Sequence, residues 1–161
     1  MLATPFVDRN GAIDFPSLGR EIELHNQAGS EGLVALGVFG EARKLDIAEQ
    51  AALVRFVSEH DERPRLIIGL SDLDTAGAID SANRLAAAAV ATKEPLLMVQ
   101  INGEHPEQVA EHVNTIATET GLGIVLQDYP VASRVSVTSS HVIEIVGHGE
   151  GRDECDHDDA E

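Results

Sequence analysis

Short apolar runs at a regular spacing constrain the fold of this chain more than any other feature. "GLVALG", "RLIIGL", "PLLMVQI" and "GIVLQ" begin at residues 32, 65, 95 and 123, so a strand-like run returns roughly every thirty residues. Each is rich in Leu, Ile and Val and lacks the polar alternation of a half-solvated strand. That is the pattern of strands covered on both faces. The opening stretch "MLATPFV" is a fifth candidate.

Segments with helical periodicity separate the runs. In "HPEQVAEHVNTIATETG", Val109, Val113, Ile116 and Ala117 share one face and Gly121 supplies a stop. "LDIAEQAALVRFVSEHD" groups Leu53, Phe56 and Val57, and "FPSLGREIELHNQAG" groups Leu18, Ile22 and His25. Asp74 or Thr75 is placed to cap the alanine-rich "AGAIDSANRLAAAAVA". Repeated strand–helix units predict an α/β fold with a parallel sheet, either an open doubly wound sheet or a (β/α)8 barrel. Five units suffice for the first, whereas a full barrel needs about 250 residues. The pattern alone therefore favours the open sheet.

Composition removes several functions. With 161 residues and 43% hydrophobic content the chain is long and apolar enough for one cored domain. A formal net charge of −17 argues against nucleic acid and against an anionic membrane surface as partners. The lone Cys155 excludes a disulfide framework and a multi-cysteine zinc site. No run approaches a membrane span, and no basic-then-apolar leader opens the chain, so a cytoplasmic enzyme is expected. The final stretch from Gly147, "GHGEGRDECDHDDAE", holds seven acidic residues and reads as a disordered tail. His148 and His157 among those acids match no closed metal site. His105 and His112 lie seven residues apart on one helix without a third ligand; His105 is expected at the helix start and His112 at the surface.

The run that begins at Gly32 ends in Gly37-Val38-Phe39-Gly40-Glu41. Both candidate architectures gather ligands at the C-terminal ends of their strands. Glycines there let backbone N–H groups approach an anion, and two or three can hold a carboxylate. Glu41 is expected to open the next helix, where the helix dipole favours a negative charge. The plain alternative is a tight turn between strand and helix.

Three segments in order, "TPF" with "DRNGAIDFPSL", then "GLVALGVFGEARKL", then "GIVLQDYP", resemble the dihydrodipicolinate synthase / N-acetylneuraminate lyase family. The resemblance runs from about Leu2 to Gly147. It implies a (β/α)8 barrel of the TIM type with about five of eight units present, residues 1–147 forming the partial barrel and 148–161 the acidic tail. That replaces the open sheet which pattern alone favoured. The family's members are class I aldolases and dehydratases that form a Schiff base between a lysine and pyruvate or another 2-oxo acid. The resemblance implies no metal and no cofactor, a homo-oligomer in the full-length family, and a Gly-x-x-Gly-Glu loop that holds the substrate's carboxylate. Gly37, Val38, Phe39, Gly40 and Glu41 are the substrate-binding candidates on that basis.

The departures from the family pattern bear on activity. Val38 and Phe39 stand where members carry hydroxyl side chains. Gln127 stands at the position of the family's proton-relay tyrosine, and glutamine does not ionise. Tyr129, the only tyrosine, is a possible substitute two residues along, if strand alternation continues; otherwise it plugs the mouth beside Pro130. Ala132 replaces an arginine found in some members, with Arg134 out of register.

The Schiff-base lysine, expected on a sixth strand, has no counterpart. Lys44 follows the glycine loop and Lys93 precedes a strand, and there are no others. Where the sixth strand is due, the chain has reached its acidic stretch, as a truncated or frameshifted member would. "VSVTSSHVIEIVG" is expected to form a loop, the fifth main helix and the approach to that strand. The expectation is a family member inactive by itself, or else a non-catalytic half-barrel that binds small carboxylates or pairs with a partner chain.

Overall fold

The computed structural model describes residues 1–7, 11–61, 65–90, 93 and 95–150. Four strands, β1 (Leu33–Ala35), β2 (Leu66–Gly69), β3 (Leu96–Gln100) and β4 (Ile124–Gln127), form an all-parallel sheet in the order β1-β2-β3-β4. The register aligns Ala35 with Ile68, Gly69 with Met98 and Gln100 with Gln127. Each predicted apolar run thus supplies one strand, shorter than the run itself.

The helices are α1 (Phe15–Gln27), α2 (Ile47–His60), α3 (Thr75–Ala88), α4 (Pro106–Thr120), the single turn α5 (Pro130–Ser133) and α6 (Ser139–Glu150). They pack in series, α1 on α2, α2 on α3, α3 on α4 and α4 on α6. Sequential strand order with one row of helices defines a barrel wall. A doubly wound sheet would reverse its strand order and carry helices on both faces. The open sheet suggested by pattern alone is therefore replaced by part of a (β/α) barrel.

Local sequence explains the helix limits. Asp14 caps α1, its carboxylate accepting from the Ser17 N–H at 3.0 Å. Asp46 and Glu49 form a reciprocal capping box at the start of α2. Asp74 caps α3 by accepting from the Gly77 N–H at 2.8 Å. Gly121 ends α4 in the left-handed region at φ 69°.

The core lies between the helix row and the sheet. Leu18, Ile22, Leu53, Val54, Val57, Ile68, Ala78, Ala82 and Leu97 are buried in it. Burying each such leucine or valine contributes roughly 1.5–3 kcal/mol. The alanines on α3 let that helix approach the sheet closely. A smaller cluster of Ile101, Val109, Ala110 and Ile145 joins α4 to α6.

Three expectations change. "MLATPFV" forms no regular strand. Leu2 N–H donates to the Val34 carbonyl at 2.9 Å, which lays the segment along β1. Pro5 then offers no N–H, and the chain folds back through a bridge between Phe6 and Ile13. β4 is only half-buried along its length, because it pairs with β3 alone among the described residues. His112 is buried, not at the surface: it is 5% exposed, and its Nδ1 lies 2.8 Å from the Thr75 hydroxyl. A surface assignment follows only if α4 has no neighbour on that side, and α3 packs there. His105 sits, as expected, at the start of α4. The tail expected from 148 begins instead inside α6, which runs to Glu150, and residues 151–161 lie outside the described residues.

Candidate active site

The chain end of β1 is bent sharply. Leu36 takes a left-handed conformation at φ 57° and is buried. Gly37 to Glu41 follow as a 3₁₀ turn over Val38–Gly40, with Gly40 N–H donating to the Gly37 carbonyl at 2.8 Å. The first N–H groups of a helical turn have no partner within it. Those of Val38 and Phe39 therefore depend on a partner from outside the turn.

Two side chains fix this turn. Thr4 Oγ1 donates to the Gly40 carbonyl at 2.6 Å in a buried position. Gln50 Nε2, from α2, donates to the carbonyls of Ala42 at 3.0 Å and Leu45 at 3.1 Å. The N-terminal segment thus holds this turn, and α2 holds the residues from Ala42 to Leu45 that follow it. Glu41 does not open a helix. It has a left-handed conformation (φ 49°, ψ 35°) between the first turn and a second 3₁₀ turn, Ala42–Lys44, and α2 begins only at Ile47. Lys44 accordingly belongs to this second turn and not to a helix.

A cavity of about 270 Å³ opens over the C-terminal ends of all four strands. Gly37, Val38, Glu41 and Gln127 line it, and Phe39, Gly40 and Tyr129 do not. The Phe39 side chain points to solvent, 71% exposed. β4 ends at Gln127, so strand alternation does not extend to Tyr129, which instead precedes the α5 turn. Arg134 lies beyond that turn in a left-handed conformation.

Several lining residues were not singled out from the sequence. Gln100 is 8% exposed, its Oε1 is buried without a hydrogen-bond partner, and it stands in register beside Gln127. The available signal was a glutamine closing an otherwise apolar strand run. Arg43 reaches the cavity from the second turn, beside the Lys44 already weighed as an amine, Ser71 from the segment after β2, and Met98 from β3. Lys44 pairs with Glu41, both side chains remaining substantially exposed. Lys93 lies before β3, at the opposite end of the sheet, and its ammonium donates to the Asp61 carbonyl. Among the described residues no His, Cys, Asp and Glu side chains converge as a metal site, and no helix is long and apolar enough to cross a membrane.

A parallel barrel wall with a cavity at its C-terminal mouth, bordered by a Gly-x-x-Gly-Glu turn, defines the class: a partial (β/α) barrel of the TIM type. Residues 1–148 match the model of the dihydrodipicolinate synthetase family, and the chain belongs to that family. It is 30% identical over 150 residues to 4-hydroxy-tetrahydrodipicolinate synthase of Pseudoalteromonas atlantica, covering 91% of this chain and 50% of that protein. The corresponding synthase of Persephonella marina is 34% identical over 137 residues, covering 84% of this chain and 45% of its own length. The crystal structure of dihydrodipicolinate synthase from Rhodopseudomonas palustris superposes with a TM-score of 0.74 at 28% identity, over 91% of this chain and 48% of that one. The chain spans about half the length of the relatives it matches.

Proposed function

We propose that the cavity binds the carboxylate of a small 2-oxo acid on the backbone N–H groups of Val38 and Phe39, with Gln127 beside it, and that this chain alone does not complete a lyase reaction. The observation that carries the reading is the first 3₁₀ turn: its two leading N–H groups have no partner within the turn, and Val38, the first of them, lines a cavity of small-molecule size. Family membership supplies the reaction type, a Schiff-base aldolase or dehydratase step in the full-length relatives.

A Schiff base requires a neutral amine, and such an amine is made reactive by desolvation or by nearby cations. Lys44 borders the cavity but is solvated and paired with a carboxylate. Lys93 is at the far end of the sheet. Gln127, at the position where the family places a tyrosine, hydrogen-bonds without ionising.

Two measurements test this reading. Titrating pyruvate into ¹⁵N-labelled protein should shift the Val38 and Phe39 amide resonances; unmoved resonances there would remove the carboxylate site. Pyruvate with borohydride, followed by intact mass, should give no adduct. A pyruvyl adduct on Lys44 or Lys93 would show that an amine has been recruited.

A second reading is favoured by β4, which is half-buried and paired on one side only among the described residues. In it the chain is a half-barrel whose open edge receives strands from a partner, as unpaired edges invite. The family's oligomeric habit agrees with it. Light scattering coupled to gel filtration would show a defined oligomer in that case and a monomer otherwise.

A further inference from the structure

The charges around the cavity do not cancel. Of the three ionised side chains that line it, Glu41 and Lys44 pair with each other. Arg43 is the third. Its Nη2 donates to the Ser71 carbonyl at 3.5 Å, the outer limit of a hydrogen bond, and no carboxylate among the described residues pairs with it. A guanidinium carries five N–H donors in a planar fork that matches a carboxylate in two-point contact. Most of Arg43's donors are therefore open. The remaining wall is neutral, with Val38, Leu70 and Met98 giving apolar surface and Gln100 and Gln127 giving amides.

This cation stands on a chain with a formal net charge of −17. The background field repels anions, so a ligand with acid groups needs local positive charge to be retained.

The geometry points to Arg43 as the receiver of a second acidic group, so that the ligand is a 2-oxo dicarboxylate and not a 2-oxo monocarboxylate. This rests on the proposed reading, in which the first carboxylate sits on the Val38 and Phe39 amides. The distal carboxylate then reaches along the mouth to the second turn, where Arg43 bridges from β1's loop to the end of β2.

The test compares pyruvate with 2-oxoglutarate by calorimetric titration of the intact chain. On the unaltered protein 2-oxoglutarate should bind roughly tenfold or more tighter, the scale of one charge-assisted contact. Arg43→Gln should bring the two ligands to similar affinity by weakening 2-oxoglutarate far more than pyruvate. Arg43→Lys, which keeps the charge and loses the fork, should retain part of the preference. Circular dichroism of each variant establishes that it is folded. Equal binding of the two acids by the unaltered chain overturns the assignment and leaves the amide site standing. Loss of both acids together in Arg43→Gln also overturns it, since Arg43 would then serve the shared carboxylate. If neither acid binds the unaltered chain, the proposed carboxylate site falls with it.

Discussion

Gly69, the last residue of β2, lies directly beneath Leu36. A Cβ on Gly69 would stand 2.5 Å from the Leu36 carbonyl oxygen and 3.1 Å from the Gly37 Cα. Those contacts are backbone, which cannot swing aside as a side-chain end can. The left-handed bend at Leu36 presses the start of the glycine turn onto the neighbouring strand, and only a residue without a side chain fits below it. Left-handed backbone costs a leucine about 1–2 kcal/mol, offset here by burial of its side chain.

Gly69→Ala should therefore destabilise the chain by roughly 1–3 kcal/mol through overpacking and displace the turn that borders the cavity. Urea unfolding gives the first quantity and pyruvate titration the second. An alanine variant with unchanged midpoint and unchanged binding would mean that the mouth tolerates separation of β1 from β2. Gly37 differs: a Cβ there meets the Met1 side chain, whose flexible end can move, so Gly37→Ala should cost much less.

Thr4→Val should lower stability by about 1–3 kcal/mol, because it leaves a buried carbonyl without its donor. The hydroxyl of Thr4 tethers Gly40 at 2.6 Å, so the same variant should also weaken carboxylate binding at the turn. Thr4→Ser keeps the donor and should restore the binding. If Val and Ser variants bind pyruvate equally well, the tether does not hold the turn in place.

His112 gives the expected pH dependence. Burial between α3 and α4 lowers its pKa below the ordinary histidine value of 6.5, and the negative charge of Asp74 opposes the shift in part. The folded state thus takes up the proton less readily than the unfolded chain. Its contribution to stability is fully present above 6.5 and is lost as pH falls through the folded value. Urea midpoints should hold steady above about pH 6.5 and decline as the pH falls below it. His112→Gln should flatten that decline, and an equally steep decline in the variant would assign it to other groups.

The capping box at Asp46 anchors α2, and Gln50 on its first turn clamps the cavity's second turn. Asp46→Ala should cost about 1 kcal/mol of stability. Gln50→Ala should loosen the Ala42 and Leu45 carbonyls and raise amide hydrogen exchange across residues 42–45 more than elsewhere. Uniform exchange changes would place the effect of Gln50 in global stability and not in the clamp.

Much of this protein was legible in the chain. Doubly buried runs at a regular interval determined a parallel sheet, because strand rise and crossover helix length leave little choice for units of that size. The Gly-x-x-Gly-Glu segment pointed to the strand end where the cavity lies, since ligand-binding turns of such folds sit on that side. Asp74 and Gly121 marked helix limits through local hydrogen bonding and backbone conformation, which depend on neighbours in sequence.

What depended on neighbours in space was decided by the tertiary structure. Tyr129 fell outside the cavity because β4 stops at Gln127, and a strand's last residue depends on the pairing of its neighbour. Glu41 and Lys44 became an ion pair on 3₁₀ turns instead of helix residues, because Gln50 and the Asp46 capping box place the start of α2 later. His112 was buried by α3, whose Thr75 hydroxyl meets it from 37 positions away in the chain. Gln100, Arg43 and Ser71 meet at one cavity although they come from the end of β3, the second turn after β1 and the segment after β2. Periodicity and capping are short-range properties that the sequence carries by itself; the assembly of a cavity from separate strand ends follows from sheet register, which exists only once the chain has folded.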